Sequence, residues 1–365
     1  MKPKPAGASR PATAHPAASG TLSAVPRLPR PLLALLVGVL VLTGSPAAAK
    51  PRVPRPVLAS DFADPAVAEL GAGYVGFSTG SLVPRAVTRR PHGSWRPAGA
   101  ALTRLPAWTR EGHVWASDVA RVGRWWLLFY AAPVPGVGEH GRCIGVARSR
   151  TPLSGFEPVG RQPLVCPSYL RKVPTAQDPV PSVDLPRAGV IDPSLHSADG
   201  RHHLLYKTDR IPSSIRIVEL TRDAQRVRPG SASVELVRYD GVVENPLLLS
   251  RPQGHVLLLS EGDFTSCRYR TIWHRSPSLL DWSVRDSGVL MDRGSTRLCG
   301  PGGADVAGNR LWFHGWTCRG QALPCANGWS WERRGRLRAI RSMYAARLGW
   351  SGGLPVLRGF VEPGR

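Results

Sequence analysis

No acidic residue occurs among the first 49 positions, no apolar run reaches the length of a bilayer span, and lysine is nearly absent after residue 49. The first two gaps belong together. Residues 1–49 form a basic, Pro/Ala/Ser-rich leader with the apolar run LLALLVGVLVL (33–43) and the small-residue close SPAAAK. That is the pattern of a secretory signal peptide, with cleavage expected after Ala49. Its apolar run of about a dozen residues is shorter than the roughly 20 that cross a bilayer as a helix. A secreted chain without stable membrane insertion is therefore expected, with an uncleaved anchor as the alternative. Scarce lysine excludes a phosphate-cradling glycine loop closed by lysine. The six cysteines all follow the leader and match no zinc spacing, since 22, 100, 31, 18 and 6 residues separate successive ones. An even count in an exported chain points to disulfides, and the simplest connectivity is sequential: Cys143–Cys166, Cys267–Cys299 and Cys318–Cys325.

Positive charge is in excess. The formal charge of +23 falls to +18 when the leader's Lys2, Lys4, Arg10, Arg27 and Arg30 are removed. Almost all the cations are arginines dispersed along the chain, densest in WERRGRLRAIR (331–341), and no nucleic-acid motif accompanies them. Such dispersal reads as a solvated surface and not as a nucleic-acid site. An acidic polysaccharide or cell-envelope partner is compatible with it. The ten histidines show no helical metal-ligand pair, and the two in RHHLLY (201–206) lie at a turn into a strand, where surface or packing roles are expected. GFSTG (76–80) matches the nucleophile-elbow pattern but lacks the helix that pattern requires.

After a Pro/Arg-rich linker at 50–57, short apolar strands alternate with Gly/Pro/Asn/Asp turns, and no long helical period occurs. The chain reads as all-β. Strand-like runs include GYVGFST (73–79), RWWLLFYAA (124–132), HHLLYKT (202–208), HVLLLSEG (255–262) and RLWFHGW (310–316). Each follows a related phrase: FADPAV, VWASDVA, VIDPSLH, VVENPLLL and GPGGADV. SRTPLSGFEP (149–158) and SPSLLDWSV (276–284) resemble each other as turns of equivalent position. A carboxylate-bearing strand followed by further antiparallel strands, repeated five times, predicts a five-bladed β-propeller over 58–365. The repeat acids are Asp64, Asp118, Asp192, Glu244 and Asp305, separated by 54, 74, 52 and 61 residues.

Innermost strands line a propeller's channel, so acids at equivalent positions are expected to converge on one cavity. Opposed carboxyls there are what glycoside hydrolysis needs, one to protonate the leaving oxygen and one to activate water. The prolines after Asp64 and Asp192 predict an extended backbone at each acid. Asp178, in VPTAQDPVPSVDLP, has no strand after it and reads as loop.

FADPAV, VWASDV, VIDPSLHSADGRHHLLY, VVENP and GPGG, in that order over most of 58–352, resemble glycoside hydrolase family 43, five-bladed enzymes acting mainly on arabinose- and xylose-containing polysaccharides. The resemblance implies an inverting hydrolase with Asp64 as general base, Asp192 as the residue that orients and tunes the acid, and Glu244 as general acid. Glu244 would then hold its proton with the help of charge on Asp192, while Asp64 stays ionised. Asp118 and Asp305 match no catalytic position of the family and are expected as channel-wall hydrogen-bonding groups, Asp118 also as a substrate contact. Trp115 is expected either to stack on a sugar or to pack between blades. Trp125, Trp126, Trp312 and Trp316 read as packing, with Trp316 the strongest of them for ligand contact and Phe264 a comparable candidate. Two positions depart from the family: Gly303 stands where a histidine beside a bound calcium is usual, so no cofactor is expected, and Asn245 replaces a glycine. A monomer acting on a polysaccharide or oligosaccharide is implied. Its alternatives are a catalytically silent carbohydrate-binding propeller, a fructan or sucrose hydrolase that retains configuration, and a basic envelope-associated scaffold. Channel-rim loops such as 133–142 and 166–189 would set exo or endo action.

Overall fold

A computed structural model of the chain describes residues 52–364, apart from 72, 168–169, 171–185, 284, 319–322 and 327–332. The expected signal peptide and the Asp178 loop lie outside the described residues. Five antiparallel sheets follow one another along the chain. Blade 1 comprises β1 (Ala66–Leu70), β2 (Gly73–Phe77), β3 (Pro84–Thr88) and β4 (Arg96–Ala100). Blade 2 comprises β5 (Trp115–Val122), β6 (Trp125–Pro133), β7 (Arg142–Ser149) and β8 (Glu157–Pro158). Blade 3 holds β9 (Val190–Ala198), β10 (Arg201–Thr208), β11 (Ser213–Glu219) and β12 (Val234–Tyr239). Blade 4 holds β13 (Val243–Arg251), β14 (Gly254–Glu261), β15 (Arg270–Ser276) and β16 (Asp286–Met291). In blade 5, β17 (Cys299–Ala307) and β18 (Arg310–Cys318) precede the short β19 (Leu323–Pro324), then β20 (Ile340–Ser351) and β21 (Leu354–Phe360). The innermost strands β1, β5, β9, β13 and β17 lie against one another in a closed ring, so the expected five-bladed propeller is the observed fold.

The second strand of each blade explains the continuous apolar runs in the sequence. A sheet between two neighbours must be apolar on both faces, so the alternation of a half-buried strand disappears. In β6, Leu128 and Tyr130 pack towards blade 1 with Phe77 and Trp108. Leu127 and Phe129, one residue out of phase, pack towards blade 3 with Leu204 and Tyr206. The same split recurs in β14, where Leu257 and Leu259 face blade 3 and Val256 and Leu258 face blade 5. Each such side chain contributes about 1.5–3 kcal/mol through burial. Blade 5 meets blade 1 through Trp312, Tyr74 and Trp95. The ring is also tied by hydrogen bonds: Val57 and Leu58 donate to the Met343 carbonyl and Phe62 to that of Arg341. The three disulfides are the sequential ones, and among the described residues no cysteine is free.

The innermost strands share one irregularity. Asp64, Ala116, Asp192, Asn245 and Gly303 have φ of 49°, 30°, 55°, 50° and 60°. Each opens a two-residue bulge: the ladder slips between Trp115 and Asp118, Ile191 and Ser194, Glu244 and Leu247, and Gly302 and Asp305. In blade 1 the same step precedes β1, where the Thr79 N–H donates to the Ala63 carbonyl across Asp64 and Pro65. This corrects two expectations. The acids before proline are left-handed, not extended, because Asp and Asn tolerate that region and the bulge requires it. Nor do the five acids occupy one register: Asp64 and Asp192 open their bulges, Glu244 precedes its own, and Asp118 and Asp305 follow theirs.

That third register makes Asp118 and Asp305 clamps between blades. Asp118 accepts from Val119 N–H at 2.7 Å and from Leu195 N–H of blade 3 at 2.6 Å. Asp305 accepts from Val306 N–H at 2.7 Å and from Val67 N–H of blade 1 at 2.6 Å. Replacing Asp305 by Ala strands two donors away from water, so a stability loss on the order of 2–4 kcal/mol is expected. Thermal unfolding of Asp305→Ala checks this, and an unchanged midpoint would contradict the clamp.

Candidate active site

The bulges decide what faces the axis. One cavity is lined by the same three consecutive positions of every blade, from Asp64–Ala66 in the first to Gly303–Asp305 in the fifth. Asp64 and Asp192 enter it from the opening position of their bulges. Asp64 is held on one side of the site by three side chains. Thr79 Oγ1 donates to its Oδ2 at 2.7 Å, and Arg341 Nη1 lies 3.2 Å from Oδ2. His314 Nδ1 lies 3.1 Å from the Asp64 backbone N and 3.3 Å from Oδ1. Thr79 also accepts from Ala116 N–H, which joins the Asp64 bulge to the bulge of blade 2. Burial pushes the Asp64 carboxyl up, but Arg341, then His314 and Thr79, outweigh it and hold the group well below the usual carboxylate range.

The other side is built on blades 3 and 4. Asp192 is buried, and its Oδ2 accepts from the Asn245 N–H at 3.0 Å. Burial first, and the neighbouring Glu244 charge second, push Asp192 up to about 8 despite Lys207. Glu244 receives Lys207 Nζ at 2.9 Å and the Tyr269 hydroxyl at 2.7 Å. Lys207 is itself buried, with Asp209 3.7 Å away as a second anion. The Glu244 charge is thus among the causes of the upward push on Asp192. The Asp64, Asp192 and Glu244 charges all act on one another or on the groups between them. The two remaining acids sit below, where burial pushes Asp118 up to about 6 and burial with the Asp118 charge pushes Asp305 up to about 7.

The aromatic candidates separate. Trp115 keeps partial exposure at the start of β5, with the Arg142 guanidinium 3.1 Å from its ring centroid and His140 stacked at 6.0 Å. Trp316 is 1% exposed among the blade 5 cysteines, and its indole N–H donates to the Phe264 carbonyl at 2.7 Å. It is wall material, which corrects the expectation of ligand contact there. Phe264 remains exposed, and the Arg341 guanidinium lies 5.3 Å from its ring, so it stands next to the cation that holds Asp64. Asp118 has both oxygens engaged by the backbone N–H groups described above.

Five functional groups escaped the sequence reading: Thr79, Lys207, Tyr269, His314 and Arg341. His314 had a signal as the lone polar residue inside LWFHGW, and Lys207 as a lysine in a chain where lysine is otherwise rare. Arg341 had none, because it closes an arginine-rich segment that looks like solvated surface. The glycines of GPGG explain themselves in space. A Cβ on Gly302 would stand 2.2 Å from Tyr269 Cε1, and one on Gly303 would stand 2.7 Å from His314 Nδ1 and 2.9 Å from Asp64 Oδ1. The space a side chain at Gly303 would need is taken by His314 of the neighbouring strand, which already serves Asp64. Among the described residues no group of three or more His, Cys, Asp or Glu is arranged to hold a metal.

Compared by sequence, the chain matches no protein-family model and no curated protein. Compared by structure, it has the fold of family-43 glycoside hydrolases. A thermostable family-43 glycoside hydrolase superposes with a TM-score of 0.64 at 17% identity, covering 84% of this chain and 96% of the other. An endo-1,4-β-xylanase from Bacteroides thetaiotaomicron gives a TM-score of 0.61 at 19% identity, covering 85% and 98%. The α-L-arabinanase of Cellvibrio cellulosa in complex with arabinohexaose gives 0.60 at 19% identity, covering 81% and 95%.

The shifted carboxyls fix a sign for stability against pH. Asp118, Asp192 and Asp305 bind protons more tightly folded than unfolded, so their contribution is full below about 4 and is lost as pH rises through about 6 to 8. Asp64 has the opposite sign, and its contribution is lost as pH falls below about 4. Thermal unfolding should therefore show a loss of stability between about pH 4 and pH 9 that is smaller in Asp192→Asn than with the carboxyl present. An identical loss in the variant would contradict the assignment.

Proposed function

We propose that the protein is a secreted glycoside hydrolase that cleaves α-L-arabinosyl or β-D-xylosyl linkages of plant-type polysaccharides with inversion, using Asp64, Asp192 and Glu244. The observation that carries this reading is the electrostatic division of the site. Asp64 is held charged by Arg341 and Thr79, whereas Asp192, pushed up to about 8 beside Glu244, keeps one proton on that pair near neutral pH. Two carboxyl groups whose environments drive them apart are the arrangement of a base and an acid. The structural neighbours, a xylanase and an arabinanase solved with arabinohexaose, support the substrate class. The three disulfides support an extracellular setting.

In the proposed reaction, Asp64 takes a proton from a water whose oxygen bonds to the anomeric carbon. The bond from that carbon to the leaving oxygen breaks as Glu244 delivers the proton of the Asp192/Glu244 pair to that oxygen. Lys207, 2.9 Å from Glu244 Oε2, then stabilises the carboxylate left behind. Charge neutralisation at that distance acts during proton transfer, which is where stabilisation accelerates the step.

The same Lys207 ion pair favours a second reading, a propeller that binds carbohydrate without cleaving it, because an ammonium on the acid opposes its protonation. Incubation of the purified protein with arabinans, arabinoxylans and aryl glycosides separates the two. The hydrolase reading predicts turnover that drops by about 10²–10⁴-fold in Asp64→Asn and in Glu244→Gln. Its rate should fall as pH rises through about 8, where the pair loses its proton. Wild-type rates no higher than those of Glu244→Gln would overturn it, and saturable glycan binding that survives Asp64→Asn would then establish the binding reading.

A further inference from the structure

The three acids come from three blades, and contacts around the axis alone do not explain how the acid of blade 4 is kept in register with the base of blade 1. One side chain lies between them. Tyr269, buried immediately before β15, directs its hydroxyl at the Glu244 carboxyl, 2.7 Å from Oε1, and lies 2.9 Å from Asn245 Oδ1. Its single proton serves one acceptor at a time, and the carboxylate is the stronger. The Tyr269 oxygen in turn hydrogen-bonds the Ser260 hydroxyl, and Ser260 Oγ accepts the Gly303 N–H at 2.8 Å. The opposite part of the residue points to the base: its ring stacks on His314 with centroids 5.9 Å apart and planes 9° apart. His314 meets Asp64 through Nδ1 in either tautomer, as acceptor of the backbone N–H or as donor to Oδ1.

We propose that Tyr269 is the positioning residue of this site: its O–H aims the Glu244 carboxyl at the leaving-group oxygen, and its ring, braced on His314, ties that carboxyl to the bulge that holds Asp64. The proposal rests on the hydrolase reading above. It also gives the two departures of this chain from the family pattern a common cause. Gly302 and Gly303 leave room for the Tyr269 and His314 rings, which a Cβ at either position would strike. Asn245 places a polar side chain where it meets the same phenol oxygen, so the acid sits in a polar cage and not against a glycine. Tyr269 touches no reacting atom in this scheme, because its hydroxyl meets only Glu244, Asn245 and Ser260.

Tyr269→Phe removes the hydroxyl and keeps the ring. The expected result is a fall in kcat of about 10- to 100-fold with KM changed less than about twofold. The basic limb of the kcat profile should move as well, because the donor to Glu244 is gone. Ser260→Ala, one hydrogen bond further away, should produce a smaller change of the same kind and serves if the first variant does not fold. A readout independent of turnover is the infrared carbonyl band of the protonated Asp192/Glu244 pair, expected to shift in Tyr269→Phe relative to wild type. No turnover by the wild type together with a shifted band would defeat the hydrolase reading while leaving the contact itself supported. Unchanged kcat, pH profile and infrared band in Tyr269→Phe would overturn the proposal.

Discussion

The left-handed step repeated at the same point of all five blades, within four innermost strands and just before the fifth, is the constraint on which the rest of this structure depends. A regular strand would alternate its side chains between axis and sheet and would leave Asp64 and Asp192 wherever the pleat put them. Two residues set against one rotate the chain at the same height in every blade, and the same three positions from each blade then line one cavity. The residue types follow from that demand. Asp, Asn and Gly fill four of the five left-handed positions, and Ala116 is the exception. Carboxylates are tolerated there for backbone reasons, and their chemistry comes from where the backbone places them.

Once gathered, the acids are differentiated by their neighbours. Asp64 receives a guanidinium and a hydroxyl, so its charge is compensated although it is shielded from water. Asp192 receives one backbone N–H and a second carboxyl, so its charge is opposed. Lys207 prevents the Asp192/Glu244 pair from becoming wholly unfavourable, which matters because an uncompensated buried charge costs several kcal/mol. The lower ring has a different task. Asp118 and Asp305 spend their oxygens on backbone donors of adjacent blades, which makes them part of the closure of the ring and separates structural from chemical acids by only two residues along a strand.

The fold was legible because a sheet flanked by two others has a simple signature, runs such as LLFYAA that are apolar throughout, recurring after an acid-bearing phrase. The disulfide pairing was legible for a related reason, since each pair joins segments close in both sequence and space. The register was not. Nothing in VVENP shows that Asn245, not Glu244, is the counterpart of Asp192, because a bulge leaves no periodic trace in one strand. Expecting an extended backbone before proline failed where tertiary demand for a left-handed residue was stronger. Arg341 and His314 were invisible for a third reason: each reaches Asp64 from blade 5, whose own repeat acid lies elsewhere, and only closure of the ring brings them in.

The central claim is that a compensated base and a proton-holding acid pair act from opposite sides of one bound sugar. The stereochemistry of the first product tests it most directly, followed by proton NMR on an arabino- or xylo-oligosaccharide before the anomers equilibrate. The account predicts that the first anomer formed is inverted relative to the substrate. A retained anomer would contradict it, since retention requires one of these carboxylates to bond to the sugar instead of to a water proton.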